Sequence, residues 1–208
     1  MKEHWERVYE KKPVEEMGWY ESSPEPSLSL IEHCKLEKNA AILNVGAGAT
    51  TLVDQLLELG YNHIIANDIS KAALEELQLR LGPEISEQVH WIVDDLTDPG
   101  ELYELGQIDL WHDRAVLHFF HERSSQDAYF ALLQKLVRPG GYVIIAAFNL
   151  NGAPTCSGLP VFRYDARMLQ EKLGDDFKLL EAFDHTYTQP SGDTRAYVYT
   201  LFRRITFS

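Results

Sequence analysis

Ile42-Leu43-Asn44-Val45-Gly46-Ala47-Gly48-Ala49-Thr50 is an apolar run that ends in two closely spaced glycines, and Asp68 closes a second apolar run further on. Ala40 to Leu43 has the character of a buried strand, while Leu52, Leu56, Leu57 and Leu59 recur at helical spacing up to Gly60. Glycines at a strand-to-helix turn let the backbone approach a ligand, and an acidic residue about 20 positions on accepts both ribose hydroxyl protons. The stretch therefore reads as a nucleoside-cofactor site.

Outward from it, strands are expected at Ala40 to Val45, His63 to Asp68, Val89 to Val93, Ile108 to His112 and Tyr142 to Phe148. Helical patterns lie between them, at Thr51 to Leu59, Lys71 to Leu81, Gly100 to Leu105 and Ser125 to Val137, the last stopped by Arg138-Pro139-Gly140-Gly141. Such alternation gives a parallel sheet with helices on both faces. Phe177 to Thr186 and Thr194 to Arg203 break the pattern and are expected to pair antiparallel around Pro190-Ser191-Gly192-Asp193. No repeat or low-complexity tract marks a second domain. The expected division is a helical lead-in and lid over residues 1–38, a cofactor-binding core over 39–150, and a substrate loop with the terminal hairpin over 151–208.

The 208 residues are 45% hydrophobic and 25% charged, which suits one soluble globular domain. A net charge of -13 disfavours nucleic acid and anionic lipid as partners. No apolar stretch reaches the ~20 residues of a membrane span, and the first residues lack a secretory apolar core. Cys34 and Cys156 stand apart, without disulfide or metal spacing, so a reducing, cytoplasmic setting is expected.

A nicotinamide site is weighed against this pattern and set aside. Thr51 stands where G-x-G-x-x-G places its third glycine, and no tyrosine has a lysine four positions later. The motifs instead resemble those of class I S-adenosylmethionine-dependent methyltransferases, over about the first 150 residues, with the terminal hairpin also in keeping. The resemblance implies a Rossmann-like, seven-stranded, mostly parallel sheet. It also implies S-adenosylmethionine as cofactor, held by Asn44, Gly46, Ala47, Gly48, Asp68 with Ile69, and Asp95 with Leu96; Asp68 would take the ribose hydroxyls, Asp95 the adenine amino group and the Leu96 N–H a ring nitrogen. Two positions depart from the family pattern. Asn44 replaces the usual carboxylate, so it can accept a hydrogen bond but brings no charge, and Thr50 replaces a third glycine.

Methyl transfer from a sulfonium is an in-line displacement that mainly needs alignment and exclusion of water. Ligands of open α/β sheets lie beyond the carboxyl ends of the strands, which nominates Asp113, Arg114 and His118 after the fourth strand and Phe148 with Asn149 after the fifth. Asp113 and His118 are the candidates for a base. His118, set in Val116-Leu117-His118-Phe119-Phe120, reads more readily as a satisfied core histidine than as a base. Zinc or iron at His112, Asp113, His118 and His121 matches no fixed ligand spacing and is not expected.

Trp19 and Tyr20 suit a lid or the core, and Cys156, Arg163 and Tyr164 sit in a long loop suited to the acceptor. That loop, with His185, is similar to tellurite-resistance and thiopurine-type methyltransferases. His4-Trp5-Glu6-Arg7-Val8-Tyr9 with Trp19-Tyr20 is similar to protein-lysine methyltransferases. The expected partner is a small soluble methyl acceptor. The alternatives are a protein lysine and a non-catalytic cofactor-binding protein, the latter suggested by Asn44. Arg114 and Arg163 would suit an anionic acceptor.

Overall fold

Strands β1 (Ile42–Val45) and β2 (Ile64–Asp68) are buried along their whole length, as central strands covered on both faces must be. The structure is a computed structural model describing residues 1–48 and 50–205, so Ala49 of the glycine stretch lies outside the described residues. The chain continues with β3 (Val89–Val93), β4 (Ile108–Arg114) and β5 (Val137–Phe148), then a two-residue pair β6 (Thr155–Cys156) and β7 (Leu159–Pro160), and ends in β8 (Phe177–Thr188) and β9 (Thr194–Arg204). The seven-stranded sheet has the order β3-β2-β1-β4-β5-β9-β8. Strands β1 to β5 are mutually parallel; β9 is antiparallel to β5, and β8 to β9. This is the Rossmann-like sheet with a terminal hairpin that the sequence implies.

The helices are α1 (Lys2–Lys11), α2 (Glu25–Cys34), α3 (Leu52–Glu58), α4 (Lys71–Leu81), the single turn α5 (Pro83–Ser86), α6 (Arg123–Leu136) and α7 (Ala166–Leu173). Successive strand residues point to opposite faces, so two cores form. Ile42 and Ile144 pack on the face of α1 to α4, whereas Leu43, Val45 and Ile145 pack on the face of α6 and α7.

Three expectations are corrected. The helix at Gly100 to Leu105 is only a 3₁₀ turn over Leu102–Glu104, because the Asp94 carboxylate takes the Gly100 and Leu102 N–H groups and fixes a tight loop. Arg138-Pro139-Gly140-Gly141 does not separate α6 from a strand beginning at Tyr142; β5 starts at once at Val137 and bulges there. Ile108 pairs with Val137 but Leu110 with Tyr142, with Gly140 at φ +79°. The long loop after β5 contains α7, whose start is set by the Asp165 side chain accepting from Met168 N at 2.7 Å and whose end is set by Gly174 at φ +74°. That capping signal, with Leu169 and Leu173 at helical spacing, is present in the sequence.

Candidate functional site

Beyond the carboxyl ends of β1, β2 and β4 lies a cleft of about 710 Å³, mostly apolar, bounded by the glycine turn, by Asp68 and Ile69 after β2, and by Asp95 and Leu96 after β3. The turn itself is sterically specified. Gly46 has φ +59° and Gly48 φ +41°, and a Cβ on either would overlap Val116 Cγ2 or the Tyr9 hydroxyl. Here the missing side chains admit the protein's own residues, and Tyr9 comes from α1.

Asp68 is buried, and its carboxylate accepts from Ser70 N at 2.9 Å and from the Gly48 and Ile69 N–H groups. Burial pushes its pKa up to about 6, with those backbone hydrogen bonds pulling the other way. The cap of α4 is Ser70, accepting from Ala73 N at 3.2 Å. Asp95 Oδ1 accepts from the Thr97 N–H and hydroxyl at 2.8 and 2.7 Å, which orients its carboxylate at the cleft edge.

The lead-in contributes more of the wall than the sequence indicates. Trp5, Tyr9 and Trp19 line the cleft with Phe119. Trp5 packs edge-on against Trp19 and Phe119 at ring-centre distances of 5.4 and 4.9 Å, and Trp19 Nε1 donates to the Tyr9 hydroxyl at 3.3 Å. Helix α1 is pinned by Glu6, which accepts from the Ser70 hydroxyl, Lys71 N and Ala72 N at 3.0, 2.9 and 3.1 Å, and so caps α4 from outside. Trp5 and Tyr9 at i, i+4 are the sequence signal for this face. Cys156 of β6 also lines the cleft, with its pKa pushed up to about 11 by burial, so it is a neutral thiol.

Beside the main cleft is a smaller recess of about 390 Å³ that includes Asn44, Tyr20, Glu21, His112 and Arg114. Arg114 is not available to an anionic acceptor. It donates to Trp19 O at 2.9 Å and the Tyr199 hydroxyl at 3.0 Å, forms an ion pair with Glu21 at 2.9 Å, and lies over the rings of Tyr187 and Tyr197.

The remaining nominated residues are not brought to the cleft. Alternation along β4 sends Asp113 to the opposite face from Arg114, where its carboxylate accepts from Tyr129 Oη at 2.7 Å, Val116 N at 3.0 Å and Leu117 N at 3.1 Å. His118 is fully buried; its Nδ1 accepts from Phe148 N at 3.3 Å, and burial with Arg114 nearby pushes its pKa down to about 3. Phe148 packs between His118 and Tyr197. Tyr164 lines a separate cavity with Met168 and Lys172, and exposed Arg163 donates to Leu150 O and Gly152 O at 3.2 and 3.4 Å. Among the described residues no three His, Cys, Asp or Glu side chains converge as metal ligands would, and no helix is long and apolar enough to cross a membrane.

A parallel sheet of this order, with an acidic residue after β2 and a cleft at the glycine turn, defines a nucleoside-cofactor α/β domain. A family model described as methyltransferase domain matches residues 36–201, and the chain belongs to that family. It is an S-adenosylmethionine-dependent methyltransferase. Among curated proteins it is 27% identical over 161 residues to EEF1A lysine methyltransferase 2 of Danio rerio, covering 71% of this chain and 68% of that one. Solved structures of the same fold include the protein described under conversion of a disulfide bond into a thioacetal group during echinomycin biosynthesis (18% identity, TM-score 0.76, 100% of this chain and 94% of that one). They also include the 1,6-didemethyltoxoflavin-N1-methyltransferase of Burkholderia thailandensis (20%, 0.67, 96% and 81%) and TehB of Haemophilus influenzae (18%, 0.65, 85% and 61%).

Proposed function

We propose that the methyl acceptor is a small molecule held against the aromatic wall of the cleft. The observation that carries this is the cover: α1, clamped by Glu6, brings Trp5 and Tyr9 to the cleft, where they form one aromatic wall with Trp19 and Phe119. A protein segment would have to displace that helix, whereas a small acceptor shares the enclosed space with the cofactor. The cleft suits a nucleoside cofactor on its own evidence, since buried Asp68 and half-buried Asp95 edge it and the buried Asn44 Nδ2 in the adjoining recess has no hydrogen-bond partner. Asp68 would hold the ribose and Asp95 the adenine.

The bound cofactor supplies an activated methyl on a sulfonium whose departure leaves a neutral thioether. The chain's residues then orient and enclose. Trp5, Trp19 and Phe119 exclude water and align a flat or apolar acceptor. Asp113 and His118, lying behind the wall, position β4 and β5 without reaching the acceptor, and Cys156 is an apolar contact. An acceptor that arrives unprotonated, such as a soft sulfur or an aromatic nitrogen, needs no base.

The test is incubation of the protein with methyl-labelled S-adenosylmethionine and cell extract split by size. Label confined to the low-mass fraction supports the reading. A discrete labelled protein band, lost with the protein's own omission, would establish the protein-lysine alternative that the zebrafish relative's name suggests.

A further inference from the structure

The recess beside Asn44 contains an ordered chain of hydrogen bonds whose direction can be worked out from donors and acceptors alone. It begins at Arg114, which can only donate, so the Tyr199 hydroxyl oxygen accepts from Arg114 Nε at 3.0 Å. The Tyr199 and Ser27 hydroxyls share the next hydrogen bond, and Ser27 Oγ lies 2.8 Å from His112 Nε2. His112 Nδ1 lies 3.0 Å from Asn44 Oδ1, its neighbour in register across β1 and β4. His112 is neutral, since burial and Arg114 push its pKa down to about 3, so it carries one ring proton.

Two directions are conceivable along this chain. If Tyr199 donates to Ser27, then Ser27 donates to His112 Nε2, and His112 Nδ1–H donates to Asn44 Oδ1; the Asn44 Nδ2 amide hydrogens are left without a partner. If the direction is reversed, the fully buried Tyr199 hydroxyl loses its acceptor among the described residues, and a stranded donor is costly. The first direction leaves Asn44 Nδ2 unpartnered, and that atom is buried without a hydrogen-bond partner; Arg114 Nη2, also without a hydrogen bond, lies in its ion pair with Glu21. The one carboxylate lining the recess among the described residues is Glu21, held by Arg114.

We infer that this recess binds the methionyl end of the cofactor with the polarity of position 44 reversed: the Asn44 amide donates to the methionyl carboxylate, while Glu21, from the segment before α2, supplies the negative charge opposite the ammonium. The inference rests on the cleft being the cofactor site. It explains how a chain without a carboxylate at position 44 keeps a complementary site: the charge comes from another segment, and Arg114 holds that charge in place and orients the hydrogen-bond chain. Ser27, His112 and Tyr199 are positioning residues.

Calorimetric titration of the whole chain with three adenosine thioethers tests this: S-adenosylhomocysteine, its decarboxylated aminopropyl analogue, and 5′-methylthioadenosine, which lacks the amino-acid end. Removing the carboxylate is expected to weaken wild-type binding about tenfold or more, and in Asn44→Ala that difference should shrink to under about threefold. Asn44→Asp, nearly isosteric, should bind S-adenosylhomocysteine more weakly and the decarboxylated analogue no more weakly than wild type. Glu21→Gln should weaken both amine-bearing ligands alike and leave 5′-methylthioadenosine unchanged. A carboxylate effect equal in wild type and Asn44→Ala, or tighter binding of S-adenosylhomocysteine by Asn44→Asp, overturns the proposal.

A readout independent of any variant is the nitrogen chemical shift of His112, which should report the Nδ1–H tautomer; the Nε2–H tautomer overturns the assigned direction. Failure of the folded wild type to bind all three nucleosides would instead overturn the reading of the cleft itself.

Discussion

The Glu6 carboxylate accepts a hydrogen bond from the Ser70 hydroxyl at 3.0 Å, joining α1 to the start of α4 across 64 positions of sequence. Ser70 thereby caps α4 with its own oxygen while donating to Glu6, and Glu6 satisfies the next two backbone N–H groups. One side chain thus completes a helix terminus and fastens the cover of the cleft.

Glu6→Ala should release α1. The lost cap costs about 1 kcal/mol, amide protection over residues 2–11 should fall in hydrogen exchange, and cofactor affinity should fall with it. Burial pushes the Glu6 pKa up, but the hydrogen bonds from Lys71, Ala72 and Ser70 outweigh it and hold the pKa below the usual carboxylate value. The sign follows from that depression. The clamp's contribution is present above the unfolded carboxylate pKa and is lost as pH falls through the lower folded one, so protection of α1 should drop in acid for wild type but not for Glu6→Ala.

Binding of S-adenosylhomocysteine should strengthen as pH rises through about 6, the value to which burial raises Asp68, because the ionised carboxylate is the better acceptor for ribose hydroxyls. Asp68→Asn should flatten that profile. For folding the sign is opposite. A raised carboxylate pKa means the native state holds more protons, so the contribution of Asp68 to stability is full below the unfolded pKa and declines as pH rises through 6. Retention of the binding profile in Asp68→Asn would assign it to another group.

Gly46→Ala combines a left-handed backbone with overlap onto Val116 Cγ2. The backbone strain costs roughly 1–2 kcal/mol, and the overlap adds to it. Val116→Ala in the same chain should recover the overlap part but not the strain, so the double variant's melting temperature should lie between those of Gly46→Ala and wild type.

Asp113→Asn should destabilise the protein by roughly 1–3 kcal/mol, since an amide cannot accept all three hydrogen bonds from Val116 N, Leu117 N and Tyr129 Oη. At temperatures where the variant is folded, its cofactor affinity should match wild type. A large loss of affinity without a loss of stability would return Asp113 to the site.

Arg163→Ala should leave kcat/KM unchanged and alter stability by no more than about 0.5 kcal/mol. Its guanidinium is exposed and bound to the Leu150 and Gly152 carbonyls, away from the cleft. A raised KM would revive an anion-binding role.

The sheet, the glycine turn and the acidic position after β2 are legible in the sequence because local rules write them. Apolar runs mark buried strands, φ-positive turns need glycine, and strand-to-helix order dictates parallel pairing with the ligand at the carboxyl ends. Those rules act over a few residues and point to Asp68; Ile69, Asp95 and Leu96, which lie at the same cleft, are indicated by the family resemblance. The acceptor side was less legible. Asp113 and Arg114 are adjacent in sequence but on opposite faces of β4, and which face looks at the cleft is decided by what packs on each.

Only the tertiary structure decided that Tyr9 fills the space Gly48 leaves, that Glu6 closes α1 onto α4, and that Arg114 holds Glu21 beside Asn44. Each of these is a contact between segments far apart in the chain. Their chemistry is present in the residue types, but their partners are chosen by burial and by the need to satisfy every hydrogen-bonding group once water is removed.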